Sequence, residues 1–161
     1  MTGVQTCALP ILLEANGVSP VLFAEAFAGT MEARGKGTLA VIGSVAGDRG
    51  RKTNYVYGAA KGMVERYVQG LQHRLANSAV KVVLIKPGPT ATPMTSHLPQ
   101  HGLAPVEQVA RRIVEAIAQG QPVVYAPVKW WLIMMVIRHL DRKSTRLNSS
   151  HVALSRMPSS A

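Results

Sequence analysis

The stretch Gly37-TLAVI-Gly43-Ser44-VAGDRGRKTNYV-Tyr57-GAA-Lys61 holds three local patterns within 25 residues. Thr38 to Ile42 is apolar and bounded by glycines, which predicts a buried strand, although periodicity alone leaves a short helix open. Asp48 to Asn54 is polar and basic, and predicts a loop. From Tyr55 to Leu75 apolar residues recur at helical spacing, at Val56, Ala60, Met63, Val64, Tyr67, Val68 and Leu71.

The flanking sequence repeats the alternation. Val80 to Ile85, interrupted only by Lys81, predicts a second strand stopped by Pro87-Gly88, and Pro122 to Tyr125 a third. Upstream, Leu13 to Ala33 reads as a helix with Val18, Leu22, Phe23, Ala26, Phe27 and Met31 on its apolar face and Gly35 as its stop. Pro20 lies inside that run and predicts a break or a new start there. Pro105 to Gln119 predicts another helix, with the proline in its first turn. Val128 to Leu140 is a hydrophobic closing segment, apolar all round from Trp130 to Ile137, which suits first a buried helix, and otherwise a membrane-interface anchor or an apolar run left by truncation. Strands that are apolar throughout rather than alternating suit a parallel sheet covered on both faces. The expected fold is therefore α/β, a doubly wound parallel sheet.

Tyr57 and Lys61 stand four apart on the predicted helix, so their side chains share a face. A phenol ordinarily titrates near 10, too high for proton exchange at neutral pH, and a neighbouring cation favours the phenolate. A three-unit change corresponds to about 4 kcal/mol, within reach of a partly desolvated ammonium and a hydrogen bond. Ser44 follows the C-terminal end of a predicted strand, where open α/β sheets bind ligands. Taken alone, Tyr57 and Lys61 read more readily as an ordinary exposed helix pair.

The pattern Ser44, twelve residues, Tyr57, three residues, Lys61 resembles the short-chain dehydrogenase/reductase family. Tyr55 does not fit, since the position four beyond it is Ala59. Asn16, 28 residues before the serine, stands where that family carries a helix asparagine, and Lys86-Pro-Gly-Pro-Thr-Ala-Thr92 resembles its Pro-Gly turn. The resemblance implies the C-terminal part of a Rossmann-like domain and hydride transfer between NAD or NADP and a carbonyl or alcohol. Tyr57 would be the acid/base. Lys61 would assist it and hold the nicotinamide ribose, Ser44 would orient the substrate oxygen, and Asn16 would support a water reaching Lys61. Pro87, Gly88 and Thr90 would lie along the carboxamide, with the Thr92 hydroxyl nearby. Asn16 also reads as a helix cap and Thr92 as a plain loop hydroxyl.

The family's Thr-Gly-x-x-x-Gly-x-Gly turn and Asn-Asn-Ala-Gly segment have no counterpart here; Gly43-SVA-Gly47-DR-Gly50 has the wrong final spacing. The expectation is a truncated domain without its first strands, inactive alone. A finer likeness, carried by Gly47-DRGRKTNYVY-Gly58, Pro93-MTSH-Leu98 and Trp130-WLIMMVIRH-Leu140, is to a bacterial subgroup that includes the keto-reducing component of decaprenylphosphoryl-ribose epimerase. It implies a small or lipid-linked carbonyl substrate. It also implies a cytoplasmic site, with peripheral contact at the inner membrane face through Trp130 to Leu140. The family further implies a homo-oligomer paired through the Leu13–Ala33 and Tyr55–Leu75 helices. A non-catalytic, helix-mediated interaction module of the same fold is the competing reading.

The ends carry a different message. Back-translated, residues 1–11 (MTGVQTCALPI) and 141–151 (DRKSTRLNSSH) are reverse complements in register. One oligonucleotide ligated in both orientations produces this, so residues 1–11 and 141–161 are read as translated sequencing adapter and residues 12–140 as the native partial domain. The chain of 161 residues is 47% hydrophobic and 16% charged, a globular composition that excludes collagen-like and wholly disordered classes. Its net charge is +10, and residues 12–140, with fourteen basic and seven acidic side chains, carry +7. Arg49, Arg51 and Lys52 form a basic loop that reads as solvated or as a phosphate contact. No aromatic residues interleave it, so nucleic acid is not an expected partner. His97 and His101 lack a third nearby ligand, so no metal site is expected. The lone Cys7 falls in the adapter-like segment. No unbroken apolar run approaches the roughly 20 residues of a spanning helix, and no secretory signal is visible.

Overall fold

The computed structural model describes the backbone of residues 3–96 and 99–148 and the side chains of residues 8–96 and 99–139. The elements are α1 (Gly3–Leu13), a π-helical turn (Glu14–Val18), α2 (Ser19–Arg34), β1 (Gly37–Ile42), a 3-10 turn (Val45–Gly47), α3 (Tyr55–Arg74), β2 (Val80–Pro87), a 3-10 turn (Pro93–Thr95), α4 (Val106–Gln119), β3 (Val123–Ala126) and α5 (Lys129–Asn148). The strands form one parallel sheet in the order β1-β2-β3, with Gly37 opposite Val80 and Leu84 opposite Val123.

The period of two along β2 explains its continuous apolar run. Val80, Val82 and Leu84 face one way and pack with Leu39 and Val41 of β1 against Ala24 and Ala28 of α2 and Val64, Val68 and Leu71 of α3. Val83 and Ile85 face the other way, against Ala116 of α4 and Val124 of β3. Both faces are covered, the requirement for a parallel sheet.

Helix α2 departs from its expected face. Leu22, Phe23 and Phe27 are exposed, Phe23 by 64%, while Ala24 and Ala28 are buried and Val21 and Met31 pack beside them. The small alanines let the helix approach the sheet closely and turn the larger rings outward. On α3, Met63 of the expected face is likewise exposed. Pro20 does not break the helix. The Ser19 N–H returns to the Glu14 carbonyl, and the widened turn lies directly before a ring that has no N–H to give and would crowd a carbonyl four residues back. Ala8–Arg34 consequently forms one helical path of 27 residues, long and apolar enough by length and composition to cross a membrane, against expectation. Here it packs on α3 and β1.

Smaller differences follow from local chemistry. Pro105 caps α4 from extended backbone instead of entering its first turn, and β2 continues through Lys86 and Pro87. Helix α5 is not buried all round: Met134 is buried, whereas Trp131, Leu132, Met135 and Val136 are exposed.

The 3-10 turn after β1 sits directly on α3. A Cβ added at Gly47 would lie 2.9 Å from the Lys61 carbonyl carbon and oxygen, and one at Gly58 would lie 3.0 Å from the Ala46 oxygen. Gly47→Ala should therefore lower unfolding free energy by about 1–3 kcal/mol in urea titration. Gly50→Ala, with nothing within 4 Å of the new carbon, should be neutral or slightly stabilising; equal behaviour of the two variants would contradict the tight seating.

Candidate active site

A cavity of about 610 Å³ opens at the C-terminal ends of β1 and β2 and brings together the expected catalytic and cofactor residues, Asn16, Ser44, Tyr57, Lys61, Pro87, Gly88, Thr90 and Thr92; Arg49, Lys52 and His101 do not line it. The expected residues arrive on four supports: the turn before α2, the exit of β1, α3, and the end of β2 with the segment after it. Ser44 leaves β1 in extended conformation and its Oγ accepts the Ala46 N–H at 3.1 Å, capping the 3-10 turn. Tyr57 and Lys61 lie on the first turns of α3. Lys61 is buried, its Nζ donates to the Ile42 carbonyl at 3.2 Å, and it stands 5.7 Å from the Tyr57 ring centroid. Burial disfavours the ammonium and lowers the Lys61 pKa below the ordinary lysine value.

Asn16 lies within the π-helical turn, so it is not a helix cap; its Nδ2 donates to the Leu12 carbonyl at 3.1 Å. Beyond β2, Gly88 N–H donates to Ala126 and the Thr90 hydroxyl donates back to the Gly88 carbonyl at 3.0 Å. Trp130 covers this turn, since a Cβ on Gly88 would fall 2.0 Å from its Nε1. Thr92 N–H donates to Thr95 Oγ1 at 3.1 Å. His97 and Leu98 lie outside the described residues, and no metal-competent cluster of His, Cys, Asp and Glu occurs among those described.

Two features escape the sequence patterns. The far wall of the cavity is apolar, built from Met94 and from Val106, Val109, Ala110 and Ile113 of α4, with Arg51 and Asn54 also lining it. Behind the cavity lies a buried charge cluster. Lys86, 2% exposed, forms ion pairs with Asp48 and, at 2.9 Å, with Glu65 Oε2. The Tyr125 hydroxyl donates to Asp48 Oδ2 at 3.2 Å, and Arg138 approaches Asp48 and Glu65 at 3.7 and 3.8 Å. Burial pushes the Lys86 ammonium down, but the hydrogen bonds and charges of Asp48 and Glu65 outweigh it and raise its pKa. The signal was available: a lysine at a buried strand position must find a carboxylate, because removing one partner of such a pair costs about 3–5 kcal/mol.

The profile of the short chain dehydrogenase family matches residues 8–102. An uncharacterized oxidoreductase of Streptomyces coelicolor is 31% identical over 112 residues, covering 70% of this chain and 45% of that protein. An uncharacterized oxidoreductase of Mycobacterium tuberculosis is 31% identical over 132 residues, 81% of this chain and 53% of the relative. Among solved structures, a short chain dehydrogenase of Burkholderia cenocepacia in complex with NADP superposes with a TM-score of 0.72 at 19% identity, covering 91% of this chain and 61% of that one. A Sphingobium yanoikuyae short-chain dehydrogenase in complex with NADPH gives 0.65 at 21% identity, covering 91% and 57%. The chain belongs to the short-chain dehydrogenase family. It spans about half the length of the curated relatives it matches.

A titration of lysine side chains by NMR checks the electrostatics of the cavity. The Lys61 ammonium should lose its proton below the ordinary lysine value; a midpoint at or above that value would show that burial does not act as described.

Proposed function

We propose that the protein from which this chain comes is an NAD(P)-dependent oxidoreductase of carbonyl and alcohol substrates, with Tyr57 as its acid/base. The observation that carries the reading is the convergence of Ser44, Tyr57 and Lys61 on one cavity at the strand ends, beside the Pro87-Gly88 turn. The residues present fit the nicotinamide end of the cofactor. Lys61 Nζ has three N–H bonds and one hydrogen-bonded protein acceptor, Ile42, among the described residues, which leaves donors for ribose hydroxyls. When bound, the nicotinamide supplies or accepts the hydride.

In reduction, the Tyr57 hydroxyl donates its proton to the substrate oxygen, and in oxidation the phenolate takes it back. The Lys61 charge one helical turn away favours the phenolate. Ser44 Oγ donates to the substrate oxygen and holds it toward the phenol; Asn16 stands where it can anchor water toward Lys61. Pro87, Gly88, Thr90 and Thr92, which line the cavity, would hold the nicotinamide. The apolar wall from Met94 to Ile113 suits a bulky or lipid-linked carbonyl compound, and the exposed Trp131, Leu132, Met135 and Val136 suit peripheral contact with a membrane. The unpartnered Leu22, Phe23 and Phe27 of α2 suit a homo-oligomer.

A chimera joining the N-terminal half of the Streptomyces coelicolor relative to this chain tests the chemistry. It should oxidise NADH or NADPH in the presence of a suitable ketone, and Tyr57→Phe should lower kcat at least about 100-fold while cofactor binding persists. Undiminished turnover by Tyr57→Phe would falsify the acid/base assignment. Oligomerisation is read by light scattering of the same chimera: Phe23→Glu with Phe27→Glu should convert an oligomer into monomers without loss of helicity, and an unchanged mass would remove α2 from the interface.

A further inference from the structure

Along β2 the residues facing α3 are Val80, Val82 and Leu84, and the next position in that row is Lys86. The row thus ends in a cation where an apolar side chain would continue the core. Lys86 reaches three directions at once. Asp48 caps the C-terminal end of the 3-10 turn and lies four residues after Ser44; Glu65 stands one helical turn beyond Lys61; Tyr125 is the cross-strand neighbour of Lys86, with its ring centroid 5.2 Å from Nζ. Pro87 and Gly88 follow Lys86 directly in the chain. Arg138 of α5 closes the group, so two carboxylates meet two cations.

A buried ion cluster is a weak way to gain stability, because hydrophobic residues of similar volume usually serve as well or better. Its cross-linking is another matter: one buried Nζ meets both carboxylates, and each must stay within reach of it or be left buried without its counter-charge. Here the three anchored segments are the ones that carry Ser44, Lys61 and the Pro87-Gly88 turn. We propose that Asp48, Glu65 and Lys86 are positioning residues. Their cluster locks the serine turn, the tyrosine-lysine helix and the Pro-Gly turn into one mutual register, and so sets the shape of the cavity for proton and hydride transfer. This rests on the oxidoreductase reading for its catalytic consequence, but not for its structural one.

The structural consequence is measured on the 161-residue chain by amide hydrogen exchange. The variant Asp48→Asn with Glu65→Gln and Lys86→Met removes the three charges together and keeps near-equal side-chain volumes. Amides of residues 44–50 and 88–92 should exchange at least tenfold faster, in step with each other, while those of 39–41 and 82–85 hold their protection. The milder Tyr125→Phe, which removes only one hydroxyl from Asp48, should accelerate residues 44–50 two- to threefold. Unchanged exchange in either segment, or equal acceleration through the whole sheet, overturns the proposal. In the catalytically competent chimera the triple variant should lose at least tenfold in kcat with a smaller change in the KM for NAD(P)H; full kcat with loosened segments overturns the positioning role. If the unmodified chimera itself proves inactive, the oxidoreductase reading fails, and exchange alone decides the cluster.

Discussion

The backbone of the Val45–Gly47 turn rests on the backbone of α3, at Gly47 against Lys61 and at Ala46 against Gly58. Ser44, at the start of that turn, is thereby set beside the helix that carries Tyr57 and Lys61. Side chains at either glycine would lift the turn away from the helix and carry Ser44 with it. The contact also explains why an exit from β1 and the first turns of α3, thirteen residues apart from Ser44 to Tyr57, can face a common space. The loop between them has only to close the circuit.

Much of this arrangement was legible in the sequence, for a definite reason. Strands buried on both faces are apolar at most positions, and β1 and β2 announce themselves that way with Lys81 as an interruption. Ser44, Tyr57 and Lys61 are legible because two spacings, one across a loop and one along a helix, were read together. What escaped was set by tertiary contact. The apolar periodicity of α2 pointed to Phe23 and Phe27 as core, but the sheet accepts only the narrow side bearing Ala24 and Ala28. Likewise no local pattern pairs Asp48, Glu65, Lys86 and Arg138, which come from four separate elements.

Membership of the short-chain dehydrogenase family and the cavity are separate kinds of support. The family match at 31% identity concerns ancestry, and solved relatives near 20% identity concern only the path of the backbone. The chemistry proposed for this protein rests instead on which side chains line one cavity and on their partners. Trp130 illustrates the difference. It belongs to a hydrophobic segment that suits several roles on composition, yet in the fold its indole lies over Gly88.

The five-residue turn Glu14–Val18 has a geometric effect beyond sparing Pro20. A π-type turn inserts one residue more than an α-turn spans, and each residue along a helix corresponds to about 100° of rotation. The two halves of the Ala8–Arg34 path are thus out of phase by roughly that angle. The turn thereby sets the angle between Asn16, which lines the cavity, and Ala24 and Ala28, which meet the sheet. Shortening this turn by a residue would swivel one half of the path against the other, and the asparagine or the alanines would lose their aim.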